Sequence, residues 1–495
     1  MGIVFRQSVK TTIVTFTGAA LGAITNYIYV FVFLRQQLGF YSNTITIGAT
    51  LQLLIMMGTG SVLATYIQKF SEKDERRKVL LSLSLIVVAA SILFYSIIFF
   101  VFRQQFVALY HEQDRQLFNK YYYALPLLMS LWGIMSLFDH YLISHVKIAF
   151  SAFVKEVVIR VCNLIIIALY YYQYIDFNIF ILASVSIYAL GAIILFIAAS
   201  KTPGFGFSSD FNAFTKSDYR GIIHFAWYHL LFGLSQNLFG MLDSFMLGVL
   251  DKRGFESIAV YRNAVFVVAL MVIPYRAMTY SSYTALNKAY IANDNTLLQS
   301  LFKRSALNIF IVTMALFAVI LCNLDNLVAI LPPQYAAIKP VIMIMMLGRI
   351  IDMATGLNNE VISISRYYKF NFRSAGLLTA TVFGFNVLLI PKYGIYGAAW
   401  GTTLAFTAIN IFKLLFLWFK MRLQPFTRGS WLSLVAVALA IAAGYLLPVV
   451  GGPVPDAIVR SIVILAVYAA MLLWLKPSED LQNYLISIKT NKRLF

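Results

Sequence analysis

Only two of the 495 residues are cysteine, and only 20 are Asp or Glu. The cysteines, Cys162 and Cys322, lie in separate apolar runs without neighbouring ligands, which excludes a disulfide framework and a cysteine metal site. Charge of either sign is scarce, at 12% of the chain, where soluble domains carry about a quarter. Hydrophobic residues reach 60%, more apolar surface than a water-soluble fold could hide. Missing too are a Walker-type glycine loop, a metal-spaced His/Cys set and a nucleophile elbow. Gly204-Phe205-Gly206 lacks the rest of any such fingerprint. No catalytic residue, metal or cofactor is therefore expected, and the chain is not expected to be an enzyme. Asp139, His140 and His145 could mimic a proton relay, against which stands an interfacial position for His145.

What is present is a regular alternation. Fourteen apolar stretches follow one another, approximately 11–34, 44–67, 79–102, 121–144, 154–172, 180–200, 221–250, 258–280, 306–327, 341–364, 376–389, 396–419, 431–450 and 458–475. Most are about the twenty residues that a spanning helix needs. Eight segments, at both ends and on every second loop, hold 28 of the 39 Lys and Arg. They run from Arg6 to Lys10, Lys69 to Lys78, Lys147 to Arg160, Lys201 to Arg220, Arg276 to Arg304, Arg366 to Arg373, Lys413 to Arg428 and Lys476 to Arg493. By the positive-inside rule these are cytoplasmic, as are both termini. The first stretch exceeds a signal-peptide core and leads into another span, so it is expected as an uncleaved helix. The formal charge of +19 belongs to short loops facing anionic lipid, which excludes a nucleic-acid partner.

The fold class expected is an all-α polytopic membrane protein of about fourteen spans. A connector rich in Pro, Gly and Ser at 201–220 divides it into an N-terminal lobe, 1–200, and a C-terminal lobe, 221–420. Two further spans, 421–475, and a cytoplasmic tail, 476–495, follow. Leu38-Gly39-Phe40 before span two echoes Arg253-Gly254-Phe255 before span eight, as in transporters built from parallel repeats. The stretch Leu286 to Arg304 reads either as an interfacial amphipathic helix or as a solvated linker.

Ionisable groups inside spans are costly and should face a cavity or a partner. In span ten, Arg349, Asp352, Gly356 and Glu360 fall on one helical face at steps of three and four, with Asn359 beside them. The stripe is either a cavity wall or an Arg349–Asp352 pair that satisfies itself. Span seven carries His229, Gly233, Gln236, Gly240 and Asp243 at similar steps, lining a cavity or gluing helices. Span eight holds Arg262 near its start and Pro274 and Arg276 in its inner part, where the proline kinks the helix and Arg276 can snorkel to the interface. Asn26 and Gln52 are the uncharged polar residues that stand out in spans one and two.

Leu389-Ile390-Pro391-Lys392-Tyr393-Gly394-Ile395-Tyr396-Gly397-Ala398-Ala399-Trp400-Gly401-Thr402-Thr403 resembles a signature of the polysaccharide-biosynthesis (O-antigen, Wzx-type) flippases of the multidrug/oligosaccharidyl-lipid/polysaccharide (MOP) exporter superfamily. Leu242 to Gly248 with Ala259-Val260-Tyr261, and Ile330 to Ala336, are similar to further stretches of that family. Independently of any family, Gly394, Gly397, Ala398, Ala399 and Gly401 let helix backbones approach closely.

The resemblance implies a V-shaped, two-lobed fold in the bacterial inner membrane, with a central cavity opening alternately to each side. It implies an undecaprenyl-pyrophosphate-linked oligosaccharide as cargo, with polysaccharide polymerase and glycosyltransferases as possible partners alongside membrane lipids. Arg349, Arg262 and Arg276, with Gln236, Asn26, Gln52 and Asn359, are then the substrate-binding candidates, since guanidinium matches phosphate oxygens. Asp352, Glu360, Asp243 and His229 are the ion-coupling candidates. The related drug exporters place an acidic residue in span one, and none lies between Lys10 and Arg35 here. Lipid II flippases carry basic residues within spans one and two that are absent here, with Gln52 the nearest polar substitute. An ion-coupled exporter is the second reading. A membrane-embedded polymerase needs a larger outward loop than Arg103 to Lys120.

Overall fold

The computed structural model describes residues 2–478. Every regular element within them is helical, as a lipid-spanning backbone requires, because each N–H and C=O must be satisfied within its own segment. Ten of the helices are long and apolar enough to cross a membrane, and twelve if two bent pairs each count as one span. The two remaining expected spans are helical as well. That at 154–172 opens in a π-helical turn, Val154–Val158, which leaves 13 residues in α-helix Ile159–Tyr171. That at 221–250 belongs to one 35-residue helix, Lys216–Leu250, whose apolar part is Gly240–Leu250. The expected tail beyond 478 lies outside the described residues.

The chain forms two compact units that divide between Ala259 and Val260. The division falls inside the eighth expected span rather than in the connector at 201–220, because that connector is packed on the first unit. Phe205 stands edge-on to Tyr141 and Phe214 edge-on to Phe70, with ring centroids 5.7 and 5.8 Å apart. Gly204 adopts φ +75°, and a Cβ there would lie 2.5 Å from the Glu72 carbonyl oxygen.

In the first unit, helix Ala124–Ser144 is central, packed between Arg35–Met56 and Phe177–Ser200. Glycines set the spacing: a Cβ at Gly48 would fall 2.6 Å from Leu128 and one at Gly133 2.5 Å from Ile55. Helix Glu75–Val101, capped by Asp74 on the Arg76 N–H, is largely exposed, with 17% of its most apolar stretch buried. The second expected span bends by 60° between Arg35–Met56 and Thr59–Lys69. Met57 and Gly58 are both left-handed at the bend, with φ 44° and 79°.

In the second unit, helices Arg428–Leu446 and Pro453–Leu475 pack onto Asn295–Cys322 through Met314, Ala318, Ala440 and Ile464. A buried pair strengthens this layer: Arg460 Nε donates to Asp456 Oδ2 at 2.9 Å, and Asn326 donates to the same oxygen at 2.6 Å. The eighth span breaks at a 3₁₀ turn, Leu270–Val272, and resumes as Ile273–Ile291 with Pro274 in its first turn, where the missing N–H costs nothing. The segment 286–304 is neither an interfacial helix nor a linker. It is divided between Ile273–Ile291 and Asn295–Cys322, with Leu286, Leu298 and Phe302 at most 1% exposed. The span-twelve glycines act at one contact. Gly394, at φ +54°, separates Lys369–Tyr393 from Ile395–Phe416, and a Cβ at Gly397 would meet the Leu389 carbonyl oxygen at 2.3 Å. Ala398 and Ala399 are fully buried, and a Cβ at Gly401 would meet Asn386 Oδ1 at 2.5 Å.

Candidate functional site

Helix Ile338–Ala354 does not continue through Gly356. That residue takes φ +61°, its Cβ position is closed by Ala306 at 2.5 Å, and the chain restarts as Asn358–Ile364 at an angle of 42°. The four-residue stripe of span ten is therefore two faces rather than one. On the first, Arg349 Nη1 donates to Asp352 Oδ2 at 3.2 Å, and the guanidinium lies 4.5 Å over the Phe406 ring. Asp352 Oδ1 accepts from Asn410 at 3.0 Å, and Asn410 Oδ1 in turn accepts from Asn358 at 3.0 Å.

On the second face, Glu360 accepts from the Tyr275 hydroxyl at 2.8 and 3.0 Å. Asn359 Oδ1 accepts from Lys413 Nζ at 2.6 Å, while its Nδ2 donates to the Tyr275 hydroxyl at 3.4 Å. A chain thus runs from cation to anion, Lys413 to Asn359 to Tyr275 to Glu360, without a direct ion pair between its ends among the described residues. Lys413 was not among the candidates read from the sequence. Counted there with a cytoplasmic segment, it sits half-buried within helix Ile395–Phe416, three residues before the end. Its signal was Asn410, one turn earlier on the same helix.

The remaining candidates are dispersed. Asn26, Gln52, His229 and Asp243 belong to the first unit. Asn26 is half-buried, and the Gln52 Oε1 is buried with no hydrogen-bond partner among the described residues. His229 is exposed with its ring 4.3 Å from Phe225, and Asp243 is buried near the far end of the same helix. The Gln236 side chain lies outside the described residues. In the second unit Arg262 is half-buried and Arg276 exposed.

The relay reading of Asp139, His140 and His145 dissolves into three separate contacts. Asp139 binds Lys155 Nζ at 2.5 Å and the Ser151 hydroxyl, and His140 Nδ1 lies 2.8 Å from the Ser136 carbonyl. His145 Nε2 receives Arg77 at 2.7 Å, and burial together with the Arg77 charge pushes the imidazole below its ordinary range. No group of three His, Cys, Asp or Glu able to hold a metal occurs among the described residues.

A second polar constellation, at the expected outward end of the first unit, was not read from the sequence. Asp114 is fully buried. It accepts from Gln36 and from the Phe255 N–H, both at 2.8 Å, so it caps the helix that starts at Phe255. Burial pushes its carboxyl above the usual carboxylate range, and those two donors oppose the shift. Arg35 pairs with Glu256 at 2.8 Å. The echoing glycines meet here. A Cβ at Gly39 would lie 1.7 Å from the Phe255 carbonyl oxygen, and one at Gly254 1.8 Å from Asp114 Oδ2.

No protein-family model matches the chain, and no curated protein matches it by sequence. Solved structures do match by fold. A lipid II flippase, MurJ, in an inward closed conformation superposes with a TM-score of 0.77 at 15% identity, covering 94% of this chain and 99% of that one. An inward-facing multidrug resistance MATE family transporter of the MOP superfamily gives 0.63 at 14%, covering 82% and 94%. A mutant of the MATE transporter VcmN of Vibrio cholerae gives 0.55 at 13%, covering 85% and 97%. The chain therefore shares the fold of these structures.

Proposed function

We propose that the chain is a flippase that carries an undecaprenyl-pyrophosphate-linked oligosaccharide across the bacterial inner membrane for cell-surface polysaccharide synthesis, by alternating access. The observation that carries the reading is the second unit's network, where Lys413 and Arg349 sit inside spans of a fold shared over 94% of the chain with a lipid II flippase. A cation within the hydrocarbon needs an anionic partner. Lys413 has an amide as its hydrogen-bond partner, so its charge is available to a pyrophosphate or an acidic sugar, and Arg349, which gives one N–H to Asp352, has the rest of its planar fork for such oxygens. Outward movement of an anion gains roughly 2.3 kcal/mol per charge per 100 mV of inside-negative potential, so no nucleotide is required.

The span-twelve signature Gly394 to Gly401 supports the polysaccharide branch over the lipid II branch, as does the absence of basic residues between Lys10 and Arg35. The second reading, an ion-coupled exporter, draws on the MATE-like fold and on Glu360, a carboxyl whose side-chain donors among the described residues are the hydroxyls of Tyr275 and Thr279. Deleting the gene and locating lipid-linked oligosaccharide with a sugar-specific probe, on intact cells and on inside-out vesicles, tests the proposal. Accumulation on the cytoplasmic leaflet with loss of surface polymer is expected. Accumulation on the outer leaflet points to a polymerase, and no accumulation points to the exporter.

A further inference from the structure

A groove of about 620 Å³ runs between helices Glu75–Val101 and Ala124–Ser144 of the first unit. Ile92, Phe100 and Leu127 make its wall apolar, and Arg103 and Lys120 stand at its expected outward end. Arg103 is aimed by Asn119, whose carbonyl and Oδ1 accept from its Nη2 at 3.2 and 2.9 Å. The Lys120 ammonium lies 5.2 Å over the Tyr121 ring. Neither cation forms an ion pair among the described residues. Asp176, the carboxylate that feels Lys120, is engaged by the Ile179 N–H and by Asn178. The third cation of this loop, Arg115, is used internally, donating to the carbonyls of Tyr110 and Ala108. Outward loops are ordinarily poor in Lys and Arg. Two uncompensated cations above a lipid-facing apolar groove therefore call for an amphiphilic anion.

We infer that this groove binds an anionic phospholipid, its phosphate held by Arg103 and Lys120 and one acyl chain laid along Phe100 and Leu127. Charge complementarity selects the phosphate. The groove selects a bilayer lipid over a free anion, because it opens on a helix with only 17% of its apolar window buried, so the lipid reaches it without entering the protein. The site is independent of the cargo proposed above and is tested without it.

The full chain in detergent is examined by native mass spectrometry with phosphatidylglycerol, phosphatidylcholine or undecaprenyl phosphate added in turn. Phosphatidylglycerol adducts should exceed phosphatidylcholine adducts and fall about tenfold in the Arg103→Ala, Lys120→Ala double variant. Asn119→Ala, which keeps both charges, should retain most of the binding. Should the double variant fail to fold, wild-type phosphatidylglycerol adducts must instead decline as salt is raised. Undiminished binding in the double variant, salt-independent adducts, equal retention of phosphatidylcholine, or a preference for undecaprenyl phosphate would each overturn the assignment.

Discussion

In the first unit Asp139 and Glu156 each meet a cation directly, as Asp352 and Asp456 do in the second, whereas Lys413 of the second unit is held by an amide. In the first, Asp139 meets Lys155 at 2.5 Å and Glu156 meets Arg160 at 2.7 Å one helical turn on. Arg160 also donates to the Gly18 carbonyl at 2.5 Å, tying helix Gly2–Val32 to helix Ile159–Tyr171. Each charge is neutralised where it stands, which makes these pairs packing elements. In the second unit no direct ion pair joins Lys413 and Glu360 among the described residues, and Asn359 and Tyr275 stand between them. A cation held by an amide keeps its attraction for an external anion, whereas one held by a carboxylate has lost part of it. Lys413, separated from Glu360 by neutral groups, is therefore the stronger candidate for an external anion, and Arg349 would share its guanidinium between that anion and Asp352.

The contrast breaks most readily at Lys155. Lys155→Met leaves Asp139, whose side chain is 7% exposed, with the Ser151 hydroxyl as its partner. Because Lys155 itself is 35% exposed, the loss should be at the lower end for an ion pair, about 2 to 3 kcal/mol, seen as a lowered thermal midpoint and reduced protein in the membrane. Arg349→Ala should abolish surface polysaccharide at unchanged protein level, and Arg349→Lys, which keeps the charge and loses the fork, should cost about tenfold in export. Full export with Arg349→Ala would remove the anion-binding role. Glu360→Gln should be the mildest, within about 1 kcal/mol of wild-type stability, because an amide oxygen can still accept from Tyr275. If it instead abolishes export while leaving the protein folded, the coupled-exporter reading gains.

Much of the fold was legible because a bilayer imposes a strong period. Apolar runs of about twenty residues and cations on alternate loops announce spans without tertiary knowledge. What failed was local. Gly356 looked like one more residue on a helical face, yet the close approach of Ala306 turns it into a break and splits the stripe it seemed to complete. Lys413 fell within the expected span 396–419 and was also counted with the cytoplasmic segment, because helix ends are poorly marked in apolar sequence, and the π-helical turn Leu417–Met421 carries the helical run past it. The repeat of Leu38-Gly39-Phe40 and Arg253-Gly254-Phe255 was visible. Its consequence was not, because the buried Asp114 that joins the two lies in a polar nine-residue helix of the loop expected to face outward. Charge pairing between helices distant in sequence, as in Asp139 with Lys155, leaves no trace in spacing alone.

The most direct test of the account compares binding of undecaprenyl-pyrophosphate-linked oligosaccharide by the purified full chain and by Lys413→Met, with thermal stability recorded for both. The account predicts that Lys413→Met weakens binding at least about tenfold, the scale of one lost charge-assisted contact, while the thermal midpoint falls less than with Lys155→Met. Unchanged affinity together with a large loss of stability would make the second unit's network as structural as the first's, and would contradict the account.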